Sequence, residues 1–398
     1  MQKFSELGLP ESLLENLAAI GYETPTPIQG QAIPPLMTGK DLLGIAQTGT
    51  GKTAAFSLPI LNFLVKDYKE TVPKFPRVLI LAPTRELASQ INENIQSYSK
   101  GLKIGSAVIF GGVGQAAQVA RIRQGLHILV ATPGRLLDLM NQGLLSLEKI
   151  EVFVLDEADR MLDMGFLPQI NEILRSVPKE RQTMLFSATI SSEIMRIASA
   201  NMKFPIRVEI APTGTTVDSV SQDIFIVARE AKVRLLEKVL AQYSGPTLIF
   251  TRTKYGAHRI ARAIRQMGFS AAEIHSNLTF PQRKKALDGF KTGEYRVLVA
   301  TDIMARGIDV IGIELVINYD LPSQAEDYVH RIGRTARAGM KGHAISFVTP
   351  SQRGEIRAIE WLIRKKLNVS TIPEFPTMQF AKPRLIYSSK KHWRGKMR

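Results

Sequence analysis

The sequence predicts an α/β fold with two tandem domains, each a mostly parallel sheet with helices on both faces, followed by a basic C-terminal tail. Three observations lead there. Short runs of β-branched and apolar residues recur, and each stops at a polar or glycine-rich cluster that opens a helical stretch. The runs are continuously apolar rather than alternating, as strands buried on both faces are. The rhythm breaks once, around Pro205–Ser219, and then resumes, so the second half repeats the first.

Taken in order, Pro10–Ile20 has helical periodicity and ends at Gly21. The proline-fixed stretch Tyr22-Glu23-Thr24-Pro25-Thr26-Pro27-Ile28-Gln29 then leads into another helix. Leu42–Ile45 reads as a buried strand, and Ala54-Ala55-Phe56 starts an apolar helix. Between them lies Ala46-Gln47-Thr48-Gly49-Thr50-Gly51-Lys52-Thr53. A strand, a glycine-rich turn ending in Lys-Thr and a helix form the context of a phosphate-binding loop. Gly49 and Gly51 let the backbone curl its N–H groups onto an anion at the helix N-terminus. Lys52 reaches the β- and γ-phosphates, and the Thr53 hydroxyl ligates Mg²⁺. The chain binds a nucleoside triphosphate.

Later strands repeat the arrangement. Val78–Ala82 is followed by Pro83-Thr84-Arg85, Val108–Phe110 by Gly111-Gly112, and Ile128–Ala131 by Thr132-Pro133-Gly134-Arg135. Val152–Leu155 precedes Asp156-Glu157-Ala158-Asp159, and Met184–Phe186 precedes Ser187-Ala188-Thr189. In parallel sheets ligands bind beyond the carboxyl ends of the strands, where every one of these clusters falls. Pro212–Thr216 reads as a linker, within a boundary set at 209–220 between domains 1–208 and 221–370. The second half continues with Leu248–Phe250 before Thr251-Arg252-Thr253 and Val297–Ala300 before Thr301-Asp302. Val316 and Ile317 lie in a further strand, and Ala344–Val348 is the last. No second glycine-lysine loop appears, so two similar domains share one nucleotide site.

Composition narrows the partner. Of 398 residues, 44% are hydrophobic and 22% charged, a soluble globular balance. No apolar run reaches a membrane span, and the N-terminus lacks the apolar core of a signal peptide. There are no cysteines, which excludes disulfides and thiolate metal sites and fits a cytoplasmic protein. The net charge of +16 points to a polyanion, nucleic acid before membrane. Seven of those positive charges lie in Lys382–Arg398, which contains no acidic residue and interleaves Tyr387 and Trp393. This 371–398 tail is expected to be drawn to phosphates, or else to serve only solubility.

Asp156, at a strand end, can hold Mg²⁺ through water opposite Thr53, and Glu157 can deprotonate an attacking water. Phosphoryl transfer needs positioning and charge neutralisation more than covalent chemistry. The cations absent from the first half occur in the second, at His330-Arg331-Ile332-Gly333-Arg334-Thr335-Ala336-Arg337. Three arginines in so short a run describe a charged helix surface equally well. Beside a half-complete site, arginine fingers are the better reading.

These motifs, with Phe4, Gly21-Tyr22, the Pro25–Gln29 segment and Ala305-Arg306-Gly307-Ile308-Asp309, resemble the ordered motif set of DEAD-box RNA helicases from Phe4 to Val369. The short N-terminus and basic tail are most similar to the bacterial RhlE-like subgroup. The resemblance implies two RecA-like domains, ATP and Mg²⁺, and RNA as single strand and short duplex. It also implies a monomer without membrane contacts, working with RNA-processing or ribosome-assembly proteins. Gln29 would read adenine, with Tyr22 and Phe4 packed around the base, and Asp309 would contact the ribose. Arg334 and Arg337 match the family's arginine fingers, in the motif that starts at His330. Ser187 and Thr189 match the motif that couples hydrolysis to strand separation. Pro83, Thr84, Arg85, Gly111, Gly112, Thr132, Pro133, Gly134, Arg135, Arg252, Thr301 and Asp302 match RNA-contacting positions.

Two positions depart from the family pattern. Phe280 stands where glutamine is usual, three residues before Arg283, and Ala336 stands where glycine is usual. Any positive φ at Ala336 would be strained. The implied activity is RNA-dependent ATP hydrolysis, ATP and RNA together closing the cleft between the domains, with local unwinding of short duplexes or remodelling of RNA–protein complexes. An ATP-gated RNA clamp with incidental unwinding and a DNA translocase stay open as alternatives.

Overall fold

The computed structural model describes residues 2–47, 49–210, 220–302, 310, 312–336, 342–372 and 378–380. Contacts gather the chain into two compact units. One comprises residues 1–218 with 276–291 and 304–311; the other comprises 219–275, 292–303 and 312–398.

The first unit holds a seven-stranded sheet in the order β3-β4-β2-β5-β6-β1-β7. Its strands are β1 (Leu42–Ile45), β2 (Val78–Leu81), β3 (Ser106–Ile109), β4 (Ile128–Ala131), β5 (Val152–Leu155), β6 (Gln182–Ser187) and β7 (Ile206–Glu209). Every pairing is parallel. Successive side chains point to opposite faces, and the apolar runs fill two cores. Val78, Ile80, Val152 and Val154 enter one, while Leu79, Leu81, Phe153 and Leu155 enter the other. Each such side chain contributes ~1.5–3 kcal/mol by leaving water. At Gly44 a methyl group would meet the Phe186 ring at 2.6 Å, so the middle of β1 admits only glycine without repacking.

Helices cover both faces, among them α1 (Glu11–Ala19), α2 (Pro27–Met37), α3 (Lys52–Lys66), α4 (Arg85–Tyr98), α5 (Ala116–Arg123), α6 (Pro133–Asn141), α7 (Ala158–Asp163), α8 (Leu167–Ser176) and α9 (Ser192–Asn201). Their starts follow local chemistry. Thr84 caps α4 by accepting the Leu87 N–H at 3.3 Å. Pro27 and Pro133 occupy first-turn positions that need no N–H donor.

The second unit repeats the order with every index raised by seven, β10-β11-β9-β12-β13-β8-β14. Its strands are β8 (Val220–Ile226), β9 (Thr247–Thr251), β10 (Ala271–Ile274), β11 (Val297–Thr301), β12 (Leu315–Asn318), β13 (Gly342–Val348) and β14 (Asn368–Val369). The helices that follow in chain order are α10 (Lys232–Gln242), α11 (Lys254–Gln266), α12 (Phe280–Thr292), α13 (Ala325–Ile332) and α14 (Arg353–Ile363). α12 lies mostly in the segment that clusters with the first unit. Both units thus form parallel sheets with helices, the tandem RecA-like architecture.

Several boundaries differ from expectation. β7 occupies part of the stretch where the rhythm breaks, and its alternating exposure hides it from a search for apolar runs. β8 and β10 were not anticipated either, because Ser221, Gln222, Asp223 and Glu273 interrupt their apolar character. Among the described residues no helix is long and apolar enough to cross a membrane.

Candidate functional site

Sheet order sorts the motifs. β5, β6 and β1 are consecutive neighbours, so the clusters after them meet at one carboxyl edge. The backbone N–H of Ala46 donates to the Ser187 carbonyl at 3.0 Å, joining the loop after β1 to the end of β6. Gly49 and Gly51 adopt φ of 85° and 95°, and the Thr50 hydroxyl donates to the Gln47 carbonyl at 2.7 Å. Lys52 is buried and its Nζ donates to the Ala46 carbonyl at 3.0 Å, across the loop that Gln47 begins. Thr53 is half-buried in the first turn of α3. Thr48 lies outside the described residues.

Gln29 is 2% exposed and fixed at both ends of its amide. Its Oε1 accepts the Thr26 N–H at 2.9 Å, and its Nε2 donates to the Gly51 carbonyl at 3.1 Å. One lone pair and one N–H of the amide remain. Phe4 and Tyr22 lie 6.0 Å apart between ring centroids, and the Tyr22 hydroxyl bonds that of Tyr98 at 3.2 Å.

After β5 the backbone turns sharply. Glu157 takes φ 51°, ψ 53°, a left-handed conformation unusual outside glycine, and its N–H donates to Asp156 Oδ1 at 3.0 Å. Asp156 is 2% exposed, and its carboxyl is pushed up to about 7, mainly by burial, with Lys52 opposing the shift and Glu157 adding to it. Arg160 Nη1 donates to Glu157 Oε2 at 2.9 Å, both side chains being buried. Asp159 Oδ2 accepts three bonds from the β6 loop: the Ala188 N–H at 3.0 Å, the Thr189 N–H at 3.0 Å and the Thr189 hydroxyl at 3.2 Å. The Ser187 hydroxyl donates to the Thr189 carbonyl at 2.7 Å.

β2, β4 and β3 carry the other group of clusters. The Arg85 guanidinium lies so close over Gly112 that a methyl there would meet it at 2.3 Å. Burial first, then the neighbouring Arg283 and Arg135, holds Arg85 below its usual range. Arg135 donates to the Val113 carbonyl at 3.2 Å and pairs with Asp138 at 3.4 Å. Pro83, Thr84, Thr132 and Pro133 are buried beneath these groups, with Gly111 half-buried and Gly134 exposed. The Phe280 ring packs on Phe110 with centroids 4.7 Å apart, an apolar contact in place of a glutamine's hydrogen bonds.

In the second unit Arg331 is 2% exposed and holds the carboxyl edge together. It grips Asp302 with Nε at 2.5 Å and Nη2 at 2.7 Å, and donates to Asn318 at 3.0 Å and to the Asp320 carbonyl at 2.6 Å. Arg252 is exposed, its N–H donating to Asp320 at 3.1 Å, and Thr301 is half-buried. Arg334 is buried, its Nε donating to the His330 carbonyl at 3.2 Å. Ala336 adopts φ 55°, the conformation that favours the glycine usual in the family. Asp309 and Arg337 lie outside the described residues.

Residues 26–197 match the DEAD/DEAH box helicase family, and residues 231–339 match the helicase conserved C-terminal domain. A DEAD-box ATP-dependent RNA helicase CshA of Bacillus cereus is 41% identical over 387 residues, covering 97% of this chain and 73% of that relative. The chain belongs to the DEAD-box ATP-dependent RNA helicases. An ATP-dependent rRNA helicase rrp3 of Sclerotinia sclerotiorum is 42% identical over 400 residues, covering 100% of this chain and 82% of the relative. The solved structure of S. cerevisiae Dbp5 bound to RNA and ADP BeF3 aligns with a TM-score of 0.81 at 34% identity, over 93% of this chain and 96% of that one. Bacterial and fungal relatives match alike and do not single out the RhlE-like subgroup.

Three side chains of the helicase escaped sequence reasoning. Asp159 ties the β5 loop to Ser187–Thr189, Arg160 holds Glu157, and Arg331 braces Asp302. Asp159 and Arg331 carried a signal as members of their motifs, Arg331 being one of the three arginines read as candidate fingers; Arg160 carried none, since an arginine is ambiguous until its partner is known. The donor set also fits a divalent cation. A buried carboxyl raised by burial gains most from an adjacent positive charge. Among the described residues no group of three or more His, Asp or Glu could hold a metal alone. A Mg²⁺ ion, which keeps waters and shares substrate phosphates, suits such a site.

Proposed function

We propose that the helicase hydrolyses ATP when RNA is bound and uses the two domains, 1–208 and 221–370 joined by 209–220, to part short duplexes or remodel RNA–protein complexes. The observation that carries this is that Asp159, three residues along the same loop from Asp156, accepts three hydrogen bonds from Ala188 and Thr189. A change at the phosphate site is thereby linked to the loop after β6.

Lys52 and the loop N–H groups bind the β- and γ-phosphates, and Gln29 selects adenine. Asp156 and Thr53 would hold Mg²⁺, and the ion would supply neutralisation of phosphate charge. Glu157 orients and deprotonates the attacking water once its carboxylate is freed from Arg160. Arg334 and Arg337 offset developing charge, and Asp309 contacts the ribose. Arg85, Arg135 and Arg252, with the loops at Gly111-Gly112, Thr132–Gly134 and Thr301-Asp302, grip one strand's phosphates and 2′-hydroxyls. ATP and RNA together close the domains, and hydrolysis reopens them.

Two assays test this together: ATP turnover with RNA and with DNA, and release of a strand from a short RNA duplex. RNA-selective stimulation with release supports the proposal. Equal stimulation by DNA would favour a translocase. Stable clamping on RNA with a non-hydrolysable ATP analogue, without release, would favour a clamp.

A further inference from the structure

We propose that the outer face of α14 is a second RNA-binding surface, which stacks a base of single-stranded RNA on Trp361 and holds flanking phosphates with Arg357, Arg364 and Lys365. Trp361 is 82% exposed. The indole therefore offers a large flat aromatic face to solvent. The helical period places Arg357 and Trp361 one turn apart, at i and i+4, and the helix ends at Ile363, so Arg364 and Lys365 follow Trp361 within four residues.

The neighbouring charges are unspent. Arg357, Arg364, Lys365 and Lys366 are exposed, and none makes an ion pair among the described residues. The acidic groups of the helix are engaged elsewhere: Glu355 accepts from Gln352, and Glu360 Oε1 accepts the Leu367 N–H at 3.0 Å. Arg364 ends the helix at φ 53°, a left-handed cap that glycine fills at least cost. The cap thus leaves a cation exposed three residues after Trp361.

An exposed aromatic ring among unpaired cations matches what single strands offer: a stackable face at each base and a phosphate at each step. The helix follows β13 and returns toward β14, so Trp361, in its last turn, sits away from the motif-bearing edge. The surface therefore takes RNA flanking the strand held by the motifs. This rests on the reading that RNA is the polyanion bound.

The chain has two tryptophans, Trp361 and Trp393, so Trp393→Phe leaves Trp361 as the only indole. Titrating that full-length protein with short and long oligouridylate should quench Trp361 emission only with the long one. In the parental background, Trp361→Ala should weaken long-RNA binding ~10-fold while saturated kcat stays within about twofold. Replacing Arg357, Arg364 and Lys365 by Gln should flatten the slope of log K against log salt by roughly 2. Unchanged emission and affinity, in a protein whose ATPase RNA still stimulates, overturns this proposal alone. A protein that RNA neither binds nor stimulates removes the reading beneath it as well. Trp361 emission typical of a buried indole before RNA is added, lost on removing residues 381–398, would show the face covered by the chain itself and also overturn it.

Discussion

At the scale of single residues, Asp156 concentrates the cost of the site. Its carboxyl titrates near 7 in the folded chain, against an ordinary value of 3.8. Between those values the unfolded chain has released the proton and the folded chain keeps it, so this group makes stability fall as pH rises from about 4 to about 7. Above that window the full penalty persists. Asp156→Asn should therefore stabilise the protein without Mg²⁺ at pH 8, by ~2–4 kcal/mol, and leave it unchanged near pH 4. Denaturant melts of both proteins at the two pH values check this, and equal stability at pH 8 would refute the buried-charge account. Asp159 makes a different prediction. Asp159→Asn leaves one acceptor oxygen where the carboxylate uses two, Oδ1 for the Arg160 N–H and Oδ2 for Ala188 and Thr189. RNA-stimulated ATP turnover should stay within several-fold of the parent while duplex release falls at least ~10-fold, since hydrogen bonds to a charged acceptor are worth ~1.5–3 kcal/mol each. Parallel loss of both activities would make Asp159 a fold residue only.

At the scale of elements, the turn before α3 is the most constrained piece. Gly51 has φ 95°, and a methyl there would meet Gln29 Nε2 at 2.4 Å and Thr26 Oγ1 at 3.0 Å. Gly51→Ala combines left-handed strain of ~1–2 kcal/mol with displacement of Gln29. ATP affinity should fall at least ~10-fold, with the melting temperature lowered by only a few degrees; binding of a fluorescent ATP analogue measures the first. Much of this was legible beforehand. Runs such as Val78–Leu81 and Val152–Leu155 announce themselves because both faces are buried. β8 and β10 do not, because Ser221, Gln222 and Asp223 interrupt the one and Glu273 the other. Loop chemistry was legible as composition, whereas strand order was not. Nothing local says that β1 lies beside β6, yet that neighbour relation brings Asp156, Ser187 and Lys52 to one edge.

At the scale of the whole molecule, the account needs cations from the second half to complete a site in the first. Arg334→Ala in the full-length protein should lower RNA-stimulated kcat by ~10³, the scale of an arginine finger. ATP affinity should hold, and a drop under about threefold would leave Arg334 as a packing residue beneath His330. Ala336 shows how such a motif departs from pattern without losing its turn: its φ of 55° retains the glycine conformation. The central claim, that Glu157 is the base of an RNA-gated ATPase, has one direct measurement. Glu157→Gln keeps the shape of the side chain and removes the charge that acts on water. RNA-stimulated turnover should fall ~10²-fold or more, the share of a general base, with ATP-dependent RNA binding retained and RNA release slowed. Turnover near the parental rate would contradict the claim.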